Sequence, residues 1–190
     1  MEQSFNLPNN RVLKVVQDES PDSPREWDNL TKLILFGKYS HLGDKHNINA
    51  NDFDGWDENK TAVMKEYDVA IIKPLYMYSH SGQTISTSPF SCPWDSGQLG
   101  WVIVTKEDLR NNWCLKRISK KYRQFADNVL ESEIDVLDMY VRGDVYGYIL
   151  VDNDEEDEDS CFGFYGSDIT KNGILDYFSD EDREEVLKQL

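Results

Sequence analysis

A single segment of this chain sustains a helical hydrophobic period, and that fact excludes most folds. Ile118, Tyr122, Phe125, Val129, Ile134, Leu137 and Val141 recur at helical spacing, and Gly143 stands where a left-handed residue would end the helix. The spacing predicts one long helix over about 119–142, with Tyr122, Phe125, Val129, Ile134 and Leu137 turned towards a sheet. The remaining apolar runs are short and rich in β-branched and aromatic residues: 11–17, 33–36, 69–72, 75–78, 84–87, 99–105, 145–151 and 160–165. Each is bounded by Gly, Pro, Asn, Asp or Ser, the pattern of strands separated by turns. His80-Ser-Gly-Gln83 reads as a hairpin turn, and Pro74 as a strand start or edge, because proline cannot donate to a ladder. Thr105 is placed to cap a helix beginning at Lys106. Two short helices are expected at the C-terminus, the second opened by Ser179-Asp-Glu-Asp182, a capping-box pattern with Asp in the last position. Strands outnumber helices and follow one another closely. The reading is α+β: a mainly antiparallel sheet with one long helix packed on it and short C-terminal helices.

The 190 residues suit a single domain over 1–190, able to bury a genuine core. Residues 37–60 have little periodicity and many Asn, Asp and Gly, so they read as a long polar loop, followed by a helical turn or two over 62–67. Residues 152–159 read as an acidic loop between the last two strands. No apolar stretch approaches the roughly 18 residues of a transmembrane helix. Met1 leads into Glu2 and Asn6, not into a basic and then apolar region, so no secretory leader is expected. Cys92, Cys114 and Cys161 then imply free thiols in a reducing cytoplasm.

Charge bounds the partners. Against 20 Lys+Arg stand 36 Asp+Glu, a formal charge of −16, so the molecule as a whole repels nucleic acid and anionic membranes. The acids concentrate at Asp152, Asp154, Glu155, Glu156, Asp157, Glu158 and Asp159. This run lacks the central Gly of an EF-hand loop, so no dedicated calcium loop is expected, and its readings are a repelling hairpin loop, divalent-cation capture or phosphate mimicry. Lys106, Arg110, Lys116, Arg117, Lys120, Lys121 and Arg123 form the opposite pole, near Trp113 and Tyr122. They read as a solvated helix face or as a docking patch for an acidic partner or RNA.

Three loop segments combine small, acidic and aromatic residues: Ser23-Pro-Arg-Glu-Trp-Asp28, His80-Ser-Gly82 and Pro89-Phe-Ser-Cys-Pro-Trp-Asp-Ser-Gly-Gln98. Were Asp18, Glu26, Asp28 and Asp95 to converge, they would suit a hard cation such as Mg²⁺ or Ca²⁺. Cys92 with His80 would make a nucleophile and base if the two met. The spacing of Cys and His matches no zinc pattern, and no P-loop, dinucleotide fingerprint or nucleophile elbow is present.

These segments, with Val145-Tyr-Gly-Tyr148 and Asp159-Ser-Cys-Phe-Gly-Phe-Tyr-Gly166, resemble a family of uncharacterised acidic proteins of bacteriophages, prophages and other mobile elements. The resemblance covers most of the chain and supplies no catalytic residues. It implies genomic company, in which many small acidic proteins act against host defence. The expectation is therefore an anti-defence protein of the anti-CRISPR or anti-restriction kind, in the cytoplasm of a bacterial host. It would block a host enzyme by filling its basic nucleic-acid channel, with no direct DNA binding, no membrane and no resident cofactor. Self-association through opposite charges would give a homodimer. The alternatives are a non-catalytic accessory phage protein and a metal-dependent enzyme acting on nucleotides or nucleic acid.

Overall fold

A computed structural model describes residues 2–152 and 157–190, the side chain of Asp157 excepted. The chain is α+β, as expected, with its strands in two four-stranded antiparallel sheets. By backbone contacts it divides into two compact units, residues 1–23 with 139–190 and residues 24–138. The first boundary falls in the turn-forming stretch 18–24, and the second falls inside the long helix of residues 120–142.

In the smaller unit, β1 (Gln3–Asn6), β2 (Val12–Gln17), β7 (Val145–Val151) and β8 (Asp157–Tyr165) form the sheet in the order β1-β2-β7-β8. Alternation turns Leu13, Val15, Tyr148, Leu150 and Phe164 to one face, where Ile169, Ile174, Leu175, Phe178 and Val186 of the C-terminal segment cover them. That segment ends in α4 (Asp180–Gln189). The Ser179 side chain accepts from the Asp182 amide at 3.2 Å, the N-cap that the sequence announced. Arg11 reaches the buried Asp182 at 2.6 Å.

β8 begins at Asp157, so residues 157–159 belong to a strand and not to an acidic loop. Val151 pairs with Asp157 and Leu150 with Asp159, which shows that strand pairing extends into the acidic run. Asp154, Glu155 and Glu156 lie outside the described residues. Gly163 sits between the pairs Tyr146–Phe164 and Gly147–Phe162 at φ 90°, a bulge position that only glycine takes without strain.

In the larger unit, β3 (Lys32–Leu35), β4 (Val69–Ser79), β5 (Gln83–Ser86) and β6 (Ser96–Thr105) form the sheet in the order β3-β6-β4-β5. Every residue from Leu99 to Thr105 is buried, because this central strand is covered on both faces. On one face lies α1 (Trp56–Glu66): Val63 packs with Ile34, Trp101 and Ile103, and Trp101 Nε1 donates to the buried Asn59 at 2.7 Å. The expected 37–60 loop is thus shorter, since 56–60 already belong to α1 and two 3₁₀ turns occupy 37–42 and 50–52. Only the second half of this helix, within the expected 62–67, was legible, because the helix buries just Asn59 and Val63 and leaves Trp56 and Met64 exposed, so no apolar stripe marks it.

α2 (Lys106–Asn112) follows β6, capped by Thr105 as expected. The long helix α3 runs from Lys120 to Arg142. Gly143, at φ 71°, and Asp144 donate to Tyr140 and Met139 carbonyls at 3.0 and 2.8 Å, a Schellman stop. Its buried stripe is Ala126, Leu130, Ile134 and Leu137, not the expected Tyr122, Phe125 and Val129 with Ile134 and Leu137. Phe125 is 42% exposed, and Tyr122 stacks instead on Trp113 at 6.0 Å. The correction has a polar cause. Asp127, Glu131 and Asp138 line one margin of the stripe and Glu133 the other, and their bonds to the sheet fix the helix's rotation.

Candidate functional site

The formal charge is divided unevenly. Residues 1–23 and 139–190 carry 6 Lys+Arg against 19 Asp+Glu, or −13, while residues 24–138 carry 14 against 17, or −3. The smaller unit therefore holds most of the acidity, and its carboxylates are the principal candidates for function.

Many of these carboxylates point into solvent. Glu158, Asp159, Glu181 and Glu184 belong to exposed residues. The carboxylates of Asp176 and Asp180 are 81% and 100% exposed, with Arg183 nitrogens 3.8 and 3.9 Å away. Asp159 also accepts from the buried Tyr148 hydroxyl at 2.8 Å; burial first, and then this bond, push the Tyr148 phenol far above its ordinary range. Asp152 is half-buried. The exposed Asp168 is pulled down to about 2 by hydrogen bonds from Lys171 and then from Thr170. Of the expected acidic binding run, the structure thus describes Asp152, Glu158 and Asp159 fully and Asp157 by its backbone.

Several acids of the larger unit, those of α3 above all, are bonded to the fold. Asp127 and Glu131 hold Lys73 Nζ at 2.6 and 2.7 Å, and Glu131 accepts from Thr87 Oγ1. Glu133 accepts from the Leu30 and Thr31 amides at 2.7 and 3.0 Å. Asp138 accepts from the Ile85 amide and Thr84 Oγ1, both at 2.7 Å. Asp44 accepts from the Leu33 amide at 2.6 Å and from Arg25 at 2.8 Å. A nucleic-acid mimic must offer carboxylates to its target, and these are already engaged. Sequence counts of acid along α3 could not show this, because the partners come from distant strands.

The four expected cation ligands do not assemble. Asp18 closes its own turn by accepting from the Ser20 amide at 3.0 Å. Glu26 sits in the 3₁₀ turn of residues 24–26, and Asp28 lines a pocket of about 400 Å³ with Asn29, Asn111 and Asn112. Asp95 lies in the loop before β6, where it accepts from Cys92 Sγ at 3.3 Å and faces His80 Nδ1 at 3.6 Å. Among the described residues no three His, Cys, Asp or Glu side chains are grouped to hold a metal ion. The Cys92 thiol therefore donates to a carboxylate and has no bond to His80, the arrangement a nucleophile–base pair needs. What the loop does present is Trp94, 92% exposed.

At the basic pole Lys116, Arg117, Lys120 and Lys121 stay in solvent, as unpaired cations must. Lys121 lies 5.3 Å over the Phe125 ring. Among the described residues no helix is long and apolar enough to cross a membrane. No family model, curated protein or solved structure matches the chain.

Proposed function

We propose that this chain is an acidic, non-catalytic interaction protein of the anti-defence kind. It acts in a bacterial cell by occupying the basic nucleic-acid channel of a host enzyme. The observation that carries the reading is the concentration of charge, −13 in the 75 residues of 1–23 and 139–190 against −3 in the other 115. A surface built to bind phosphates gains similar Coulomb and counterion-release terms from closely spaced carboxylates. A charge of −16 needed only for solubility could be scattered over the whole chain; this one is gathered on one unit. The engaged acids of α3 narrow the surface to the smaller unit.

The test is capture from bacterial lysate at low and moderate salt, comparing two sets of charge reversals. Glu158→Lys with Asp176→Lys and Glu181→Lys should abolish capture of a nucleic-acid-binding enzyme, and duplex DNA should compete with the wild type. Lys120→Glu with Lys121→Glu should leave capture intact. If only the second set loses the partner, the basic segment is the docking site and the acidic reading is wrong.

A further inference from the structure

The two sheets have four edges, and the fold closes three of them with side chains that stand in for a missing strand. On β3, Asp44 accepts from the Leu33 amide at 2.6 Å and its own amide donates to the Leu33 carbonyl at 2.9 Å, while His46 Nε2 meets the Leu35 carbonyl at 2.8 Å. On β5, Asp138 takes the Ile85 amide. Where β5 stops pairing at Tyr76, the open part of β4 carries Pro74, which has no amide hydrogen, and Arg123 holds the Ala70 carbonyl. On β1, the Gln189 amide accepts from Asn6 N at 2.9 Å and donates to Asn6 O at 2.8 Å, as a neighbouring strand would.

β8 is the exception. It runs nine residues, longer than β1, β3 or β5, and among the described residues it pairs only on its β7 side. Glu158, Asp159, Ser160, Phe162 and Gly163 are all exposed. Among the described residues, no side chain from another segment is bonded to the outer backbone of residues 158–163, where only the neighbouring Cys161 thiol lies 3.8 Å from the Phe162 carbonyl. Open edges invite pairing with whatever strand is near, and natural proteins commonly blunt them. Among the described residues, the longest edge is thus the one that is not blunted.

We propose that β8 is a docking edge that takes an extended, Lys- or Arg-bearing segment of the partner protein as a fifth strand. This inference rests on the acidic-surface reading and specifies how that surface is engaged. Main-chain hydrogen bonds supply affinity in such pairing, and alternate side chains supply selection. The occupant follows from charge. The edge begins in the acidic stretch 157–159 within a unit of −13, which repels a second copy of the same unit and attracts a basic strand. Phe162 adds an apolar contact: its ring covers Gly147, where an added Cβ would come within 2.2 Å of it, and remains 48% exposed. A partner strand alternating basic and apolar side chains would therefore meet both features.

Hydrogen exchange on the full chain tests this, with three short probe peptides: alternating Lys and Val, the same sequence N-methylated at every second residue, and alternating Glu and Val. The outward amides of β8 should exchange quickly in the free protein and slow about tenfold or more with the Lys-Val peptide only. Glu158→Lys should weaken that peptide's binding. Lys-Val binding that leaves β8 exchange unchanged, or equal protection by the N-methylated peptide, overturns strand addition while leaving the acidic-surface reading intact. Failure of the Lys-Val peptide to bind at low salt also overturns strand addition, and the lysate capture then judges the acidic surface separately. Protection of β8 in the free protein that grows with concentration and doubles the mass would make a second copy the occupant, and would equally overturn the proposal.

Discussion

At the scale of single residues, the larger unit turns carboxylates into structural acceptors. Asp44, Glu133 and Asp138 each take one or more backbone amides, and an amide left unpaired in a partly buried place costs about 1–3 kcal/mol. Asp44→Ala should therefore lower unfolding stability by about 2 kcal/mol in urea titrations. Asp135→Asn, where partial desolvation and then the neighbouring Glu131 and Asp138 raise the carboxyl, should leave the midpoint unchanged or slightly higher. Asp108 supplies a pH test. Burial alone would raise its carboxyl, but hydrogen bonds from Lys32 and Thr105 outweigh burial and hold it below the usual carboxylate range. A depressed native value stabilises the fold above the unfolded pKa near ~3.9, and that contribution disappears as pH falls through the native value. The stability gap between wild type and Asp108→Asn should accordingly be full at pH 7 and close below about pH 4; a gap that widens on acidification contradicts the assignment.

At the scale of elements, the existence of the long helix was legible and its rotation was not, while β1 and the first half of α1 were not read at all. The period over 118–141 announced α3 and Gly143 announced its end, because backbone geometry at a left-handed stop is a local matter. Which face is buried was decided by Ala126 and Leu130, bracketed by acids bonded to strands that lie far away in sequence. Hydrophobicity ranks Phe125 above Ala126, and no local rule reverses that order. Leu130→Ala should cost about 2–5 kcal/mol and Phe125→Ala under about 1, read from urea midpoints. The opposite ranking would restore the aromatic face. At the bulge, Gly163→Ala meets open space but a φ of 90°, so it should cost about 1–2 kcal/mol through backbone strain alone.

At the scale of the molecule, charge is the organising quantity. A unit at −13 repels itself, and salt relieves that repulsion as the screening length falls from about 30 Å at 0.01 M to about 8 Å at 0.15 M. Over that range amide exchange at Leu13, Val15 and Tyr148 should slow more than exchange at Leu33 and Val102 in the nearly neutral unit. Equal slowing would show that the uneven charge has no energetic consequence. The five tryptophans all fall within residues 24–138, so their fluorescence follows the larger unit without interference from tryptophan in the other.

Several features of this protein were set by sequence alone: the α+β class, the long helix and its stop, the caps at Thr105 and Ser179, the hairpin at 80–83 and the acidity. Each depends on residues within a few positions of one another, or on a sum over the chain. The tertiary structure decided which carboxylates are bonded and which are presented, that Asp95 faces both Cys92 and His80, and that β8 extends through 157–159. It also decided which sheet edges are closed. Those outcomes depend on pairs separated by dozens of residues, such as Asn6 with Gln189 and Leu30 with Glu133. A hydrogen-bond acceptor carries no mark in the sequence of the distant amide it will meet; folding brings the two together, and only there is the acid's role fixed.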